Sequence, residues 1–512
     1  MFKLFLHERR LPAKMSAFRN GGAELVVFAV LLVIVCFLPY PDLAPAQGLH
    51  GYLSSHGLTL AAHLSPEHHF LMYNRIVVDS TGAEHYEAYN RFSIVPFALI
   101  RGAMAFGGDD LFAQIAAARK LMLLFWLGAM FCAYLALKRL GHNPLAALAV
   151  VLLAFSSRYF LQYNDMIFND LPALFGCMLL FHGLVVHWLE NRPRQLMVKA
   201  LIAVALGWQA YAMLLPAVAL LWWKNRRTKE NLTLAGAPLL LGVALLAFNL
   251  ANECIATKAP LLETSTAQSI AYRIGVANDE AYEITEPDYS FGLWTKYALH
   301  RISLAATPAL ATMLLQALND GLFLPMGFYV VVAGTWSQAL GALILLFAFA
   351  AVLAKATPRF PAFCLLALAL GWTVSMRHFT FFHDFQMVFS VGIPLILFGA
   401  LLRRMPDRSK ILPLLAIATA VSFLFAAINV CESKVNVQMD AHERLSALRN
   451  IAETLQAEHS PIVHVDAKVV EKIGGAGQTL GFALSRARFT DDERVAQWRL
   501  LDSPVRIERL NP

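Results

Sequence analysis

The chain reads as an all-α polytopic membrane protein of about eleven transmembrane helices, with outer-face loops and a small α+β C-terminal tail. Three observations carry that reading. Of its 512 residues, 58% are hydrophobic and only 15% charged, against about a half and a quarter in soluble domains. The apolar excess is gathered mostly into uncharged runs of about 17–25 residues, the length that crosses a bilayer as helix. The Lys and Arg residues lie in short clusters beside those runs and fall on one side of the predicted topology.

The first span is residues 24–40. The basic segment before it gives the N-terminus the look of a signal peptide. The run is long, however, and no small-residue cleavage site follows closely, so it reads as an uncleaved span. A mostly polar stretch occupies residues 41–90, and residues 91–106 suit an interfacial helix, because Arg101 sits mid-run where a charge is costly in hydrocarbon. Spans follow at 120–140, 144–155 and 171–189, then a pair of short helices bent near Gly207 within 196–223, then a span at 232–251. After a second long loop at 252–336, spans resume at 337–353, 361–376, 386–402 and 411–430.

With the N-terminus inside, each basic cluster (7–10, 138–139, 192–194, 224–229, 355–359 and 403–410) lies on the cytoplasmic side. The outer loops are then 41–119 and 252–336, flanking a transmembrane domain of residues 1–430, and the soluble tail 431–512 is outside. In the tail, Leu445, Leu448, Ile451, Ala452 and Leu455 recur at helical spacing, and 462–465 and 505–507 read as strands. The glycine-rich run at 473–480 lacks the Lys-Ser/Thr of a phosphate loop and reads as a turn. The net charge of +7 is what cytoplasmic loops produce; without a basic stripe and interleaved aromatics, it does not indicate nucleic-acid binding. No cysteine pair has metal-binding spacing.

Three polar constellations lie on the outer side. The first is a hairpin-like segment carrying Asp79, Glu84 and Glu87, residues that a solvated loop would also contain. The second packs Arg158, Tyr163, Asn164, Asp165 and Asp170 between two apolar spans, more polar residues than a turn needs. Helix capping accounts for Asp170 alone. The third joins Arg377, His378, His383, Asp384 and Gln386 across a short connection, a set suited to a phosphate or sugar, while its Phe residues suit interfacial anchoring.

The order of these features resembles the type C glycosyltransferases, in particular the dolichyl-phosphate-mannose protein mannosyltransferase and aminoarabinose transferase superfamily. The residues that carry the likeness are Tyr89-Asn-Arg-Phe-Ser-Ile-Val-Pro96, Ala118-Arg119-Lys120, Leu137-Lys-Arg-Leu140, Phe168-Asn-Asp170-Leu-Pro172, Gly207 to Pro216, and Arg377. An adjacent acid pair behind the first span is replaced here by acids spread over Asp79, Glu84 and Glu87.

The resemblance implies a polyprenyl-phosphate sugar donor in the outer leaflet and a glycan, lipid or protein acceptor on the same face. It implies a carboxylate base (Glu84 or Asp79), acceptor or metal contacts at Asp165 and Asp170, and phosphate contacts at Arg377 and His378. A divalent cation is the one cofactor it suggests, and a bacterial cytoplasmic (inner) membrane the location. A secondary transporter predicts inverted repeats and mid-span charges, and a membrane scaffold would use the tail for docking. The sequence shows no repeat, and its charges gather at the outer surface.

Overall fold

The computed structural model describes residues 28–29, 48–225, 229–273, 291–308, 311, 326–376, 384–403, 411–455, 458, 460–466, 469, 478–502 and 505–510. The chain opens with α1 (Gly48–His63), the strands β1 (Tyr73–Val78) and β2 (Glu84–Ala88), and the short α2 (Ile94–Ala105). The first helical layer is α3 (Leu111–Arg139), α4 (Pro144–Phe155), α5 (Arg158–Tyr163) and α6 (Asp170–Glu190). Then come α7 (Pro193–Leu206), α8 (Ala210–Asn225), α9 (Lys229–Thr257), α10 (Ser265–Arg273) and α11 (Phe291–Ala306). Next are α12 (Met326–Leu353), α13 (Arg359–Ser375), α14 (Gly392–Leu402) and α15 (Ile411–Leu455). The tail adds β3 (Ile462–His464), α16 (Gln478–Ala483), β4 (Arg488–Thr490), β5 (Trp498–Asp502) and β6 (Val505–Arg509).

Among the described residues, four helices are long and apolar enough to cross a membrane: Leu111–Arg139, Asp170–Glu190, Gly236–Thr257 and Ile411–Val430. Shorter apolar helices accompany them, among them Ile94–Ala105, Pro144–Phe155 and Arg359–Ser375. The helix starts are written locally. Asp110 accepts from the Phe112 amide at 3.0 Å, Asn143 from Leu145 at 2.9 Å with Pro144 behind it, and Ser157 from Phe160 at 3.2 Å. The bend expected near Gly207 separates α7 from α8, and its cause is packing. A Cβ on Gly207 would come within 2.3 Å of the Ala173 Cβ on α6.

The four long helices form two layers. The apolar windows of α3 and α6 are 61% and 78% buried, whereas those of α9 and α15 are 22% and 33% buried. The outer pair turns Leu240, Val243, Leu414 and Val421 outward, the surface a lipid solvent requires. Arg139 pairs with Glu190 at 2.7 Å, so the C-terminal ends of α3 and α6 lie together. Their N-terminal ends, with Asp170, therefore share the opposite end of the bundle.

Two expectations change here. The stretch 41–90 is not simply a polar loop: from Gly51 onward α1 has nearly every residue buried, including Ser54, Ser55, His56 and Thr59. Its face is held by small residues, since a Cβ on Gly57 would overlap the Ile167 carbonyl oxygen at 1.9 Å. The last apolar span is Ile411–Val430 as expected, but the helix that carries it does not end there. It continues as one helix of 45 residues into the tail, where Leu445, Leu448, Ile451 and Leu455 form the buried face predicted from their spacing.

The strands form a single six-stranded sheet in the order β2-β1-β4-β3-β5-β6. β1 and β2 are an antiparallel hairpin, β5 and β6 another, and β4 pairs in parallel with both β1 and β3. The hairpin of the first loop and the strands of the tail are thus one sheet. Glu84 forms an ion pair with Arg488 across the seam. Gly481 allows α16 to approach α1 and β1, since a Cβ there would meet the Asn74 carbonyl oxygen at 2.2 Å and Thr59 Cγ2 at 2.9 Å. Arg101 on α2 donates to the Ala61 and Ala62 carbonyls at 3.3 and 2.8 Å, which caps the C-terminal end of α1. That contact accounts for a charged residue in an otherwise apolar 12-residue helix.

Candidate functional site

The second constellation sits beside α1 and α3 at the start of α6, and its Tyr163, Asn164, Asp165 and Asp170 are buried. Asp165 lies in the turn between α5 and α6, 1% exposed, with its Oδ2 3.8 Å from Nε of Arg119, itself 1% exposed on α3. A buried carboxylate demands a cation or donors, because a bare charge in a low dielectric is costly. Asn164 is buried beside Asp165. Tyr163 is buried at the end of α5, its ring 5.3 Å from that of Tyr159. Arg158 opens α5.

Asp170 is the first residue of α6 and is fully buried. The Gln386 side chain donates to its Oδ1 at 2.5 Å, and the Trp372 indole N–H donates to the Gln386 carbonyl oxygen at 2.8 Å. That chain runs from α6 to α13 and joins the second constellation to the last residue of the third. Arg377, His378 and His383 lie outside the described residues, and Asp384 opens the 3-10 segment Asp384–Val391.

The acids of the first constellation are spent on the hairpin and the tail. Asp79 Oδ1 accepts from the Thr81 hydroxyl (2.6 Å), the Thr81 amide (2.8 Å) and the Ala83 amide (3.0 Å), while Oδ2 meets His85 at 2.9 Å. The Thr81 hydroxyl first, then His85 and the two amides, hold its carboxyl well below the usual carboxylate range. Glu87 pairs with Arg75 at 2.7 Å. Asp79 also borders an open groove of about 510 Å³ shared with Asp491, Asp492 and Glu493. Four carboxylates around one groove disfavour an anionic phosphate there.

The first loop reaches the site through its aromatic end instead. The Tyr89 ring is 4.0 Å from that of His56, and the Arg91 guanidinium lies 3.7 Å from the centroid of the Tyr89 ring. Phe92 and Phe97 pack edge-on to Phe168 at 5.1 and 5.7 Å. Asn90 and Asn249 exchange amide bonds: Asn249 donates to the Asn90 carbonyl at 3.0 Å and to that of Phe92 at 2.5 Å, and the Asn90 side chain donates back to the Asn249 carbonyl. The Ile167 amide donates to the Ser54 hydroxyl at 3.2 Å, tying α1 to the Asp165–Asp170 turn.

Sequence reasoning passed over Arg119 as a partner for Asp165, and His56, Trp372 and Asn249 altogether. Arg119 carried a signal, as an ionisable residue within a spanning helix. The others are ordinary residues until the packing joins them.

Two buried histidines give α1 a pH response. Burial pushes His56 down to about 3, with Arg91 adding to the effect. Burial pushes His63 down to about 4, opposed by its contacts with the Tyr73 and Ser485 backbone. Both are neutral in the folded state and protonate near 6.5 when unfolded. Stability is therefore complete above pH 6.5 and falls as pH drops toward 4 and then 3, by roughly 2 kcal/mol per histidine at pH 5. Amide exchange in α1 at pH 7.5 and pH 5 is expected to show protection lost at the lower value; equal protection would rule this out.

As a cation site the described residues fit poorly. Asp165 already faces a guanidinium and Asp170 a buried amide. Among the described residues no group of three or more His, Cys, Asp or Glu side chains is placed to hold a metal.

The helical bundle, with buried carboxylates at one end and a loop-and-tail sheet packed on α1, defines a polytopic α-helical membrane protein. Its backbone is similar to that of ArnT from Cupriavidus metallidurans bound to undecaprenyl phosphate (TM-score 0.54, 12% identity, covering 92% of this chain and 86% of that one). The apo form of the same protein matches with a TM-score of 0.51 at 12% identity, over 91% and 85% of the two chains. The Archaeoglobus fulgidus oligosaccharyltransferase tethered with an acceptor peptide matches with a TM-score of 0.50 at 13% identity, covering 93% of this chain but only 64% of that one. The resemblance to type C glycosyltransferases read from the sequence is thus borne out at the level of the fold. No protein-family model and no curated protein matches the sequence.

Proposed function

We propose that the protein is a membrane glycosyltransferase that moves a sugar from a polyprenyl-phosphate donor to an acceptor on the outer face of the membrane. The observation that carries this reading is the pair of buried carboxylates, Asp165 facing Arg119 and Asp170 held by Gln386, at the loop-covered end of the bundle. Solved structures of similar fold include one bound to undecaprenyl phosphate and an oligosaccharyltransferase tethered with an acceptor peptide. Exposed apolar faces on α9 and α15 suit an enzyme whose substrate carries a lipid tail.

In this mechanism an acceptor hydroxyl attacks the anomeric carbon, the bond from that carbon to the phosphate oxygen breaks, and the polyprenyl phosphate leaves with the electron pair. Asp165 takes the hydroxyl proton, and Arg119 fixes the orientation of its carboxylate. Asp170, held by Gln386, positions a substrate hydroxyl. Arg377 and His378 offset the charge on the leaving phosphate, as the resemblance implies. The acceptor is a glycan, lipid or protein, the N-terminus is cytoplasmic and the tail faces out, in a bacterial cytoplasmic membrane. The described residues give no step to a cation.

The test is sugar transfer from undecaprenyl-phosphate sugars in membranes containing the full chain. Asp165→Asn, which keeps the shape and removes the base, is expected to lower transfer roughly a hundredfold to ten-thousandfold. Wild-type rates in that variant would defeat the assignment.

A further inference from the structure

His56 is the most conspicuous buried group that the mechanism above does not use. It is 0% exposed on α1, and neither ring nitrogen has a hydrogen-bond partner among the described residues. Its ring is walled by Tyr52 at 5.7 Å, Tyr89 at 4.0 Å and Phe168 at 5.8 Å. The two residues after Phe168 carry the same defect: Asn169 Oδ1 and Asp170 Oδ2 are buried and have no partner among the described residues. Buried polar atoms are nearly always satisfied, so these unmet atoms, on a histidine packed against Phe168 and on the two residues that follow Phe168 in the chain, require an explanation.

The chemistry of those atoms selects a ligand. An amide oxygen and a carboxylate oxygen accept hydrogen bonds, and a neutral imidazole offers one acceptor and one donor. A phosphate supplies acceptors and negative charge, the opposite of what these groups need. A sugar supplies hydroxyl donors, and aromatic walls with a few fixed polar groups are the usual lining of a small-ligand site.

We infer that His56, Asn169 and Asp170, walled by Tyr52, Tyr89 and Phe168, form the subsite for the sugar ring of the lipid-linked donor. This rests on the proposed function and deepens it, because it places the sugar under α1 and assigns the phosphate to a different part of the site. Tyr52 and Tyr89 are only partly buried, so they line the way in.

The test uses the purified full chain in lipid nanodiscs. The probes are undecaprenyl phosphate alone and undecaprenyl phosphate bearing glucose, N-acetylglucosamine or aminoarabinose. The wild type is expected to bind at least one sugar-bearing lipid roughly tenfold more tightly than the bare lipid phosphate, the effect of about one well-made hydrogen bond to a substrate group. His56→Phe fills the aromatic cage and removes the orphaned nitrogens. It is expected to melt no lower than the wild type, to bind undecaprenyl phosphate within twofold of it, and to lose the sugar increment. His56→Asn, which restores an acceptor, is expected to regain part of the increment and carries the measurement if His56→Phe does not fold. The inference is overturned if His56→Phe keeps the full increment, if the variants lose bare-phosphate affinity in equal proportion, or if no sugar raises wild-type affinity. A wild type that binds no undecaprenyl phosphate at all would instead overturn the proposed function on which the inference stands.

Discussion

Arg119→Met is expected to be the most damaging single side-chain change in the bundle, at about 3–5 kcal/mol. The substitution keeps the length and apolar stem of the side chain but removes the cation that faces Asp165, and both groups are 1% exposed. A carboxylate left in that enclosure without its cation must protonate, draw in water or push the turn outward. Each route loosens the contact between α3 and the start of α6. The double variant Arg119→Met/Asp165→Leu removes both charges and is expected to recover most of the stability, because apolar replacements of a buried pair are often neutral or better. It is not expected to recover sugar transfer. Melting temperatures and transfer rates of the two singles and the double separate the two roles. A double variant as unstable as Arg119→Met would show that the pair is not what the site rests on, and an active double would show that Asp165 is not the base.

Gly57→Val is expected to lower activity about a hundredfold from a position that touches no proposed substrate. The Cβ of any residue there would meet the Ile167 carbonyl oxygen at 1.9 Å, and that oxygen is backbone, so a rotamer change cannot relieve the overlap. α1 would have to lift away from the Asp165–Asp170 turn, breaking the Ser54–Ile167 bond and moving His56 off Phe168. Overpacking of this kind costs about 1–3 kcal/mol, and a displacement of about 1 Å at a reaction centre is enough to lower turnover about a hundredfold. Gly57→Ala is expected to show the same direction in a milder form. Transfer assays read the effect, and raised reactivity of a cysteine placed at Ser54 toward a water-soluble maleimide reports the lifted helix. Wild-type turnover in Gly57→Val would show that α1 is not clamped as described.

Much of the architecture can be read without coordinates. The apolar runs at 144–155 and 171–189 became α4 and α6 with boundaries shifted by at most a residue. Asn143-Pro144 and Ser157 announce helix starts by chemistry that acts within three residues. The bend at Gly207 and the apolar stripe from Leu445 to Leu455 also follow from local pattern. The continuity of α15 through residue 430 was hidden, because the composition changes from apolar to polar there while the backbone stays helical. Four helices are long and apolar enough to span among the described residues; the remaining apolar helices are shorter, and by hydropathy alone they resemble buried core.

Of the site, only part of the membership was legible. Asp165 and Asp170 stand out because acids are costly beside apolar spans. What faces them does not stand out. Gln386 reaches Asp170 across 216 positions, and Arg488 reaches Glu84 across 404. The acids of the hairpin looked alike in sequence, yet the fold spends them on a turn and two ion pairs. His56 lay in a segment whose Ser, His and Thr residues suggested solvent, but Tyr89 of the first loop and Phe168 close over it.

The sequence by itself determined that this protein is a bundle of apolar helices with its unusual acids gathered near one surface. Helix length, capping and amphipathic spacing are local properties, and the absence of hydrogen-bond partners in lipid leaves those runs no other form. Only the tertiary structure decided which polar groups meet in the dry interior. That depends on where glycines let helices touch and on which strands pair, contacts between residues hundreds of positions apart that no local period records.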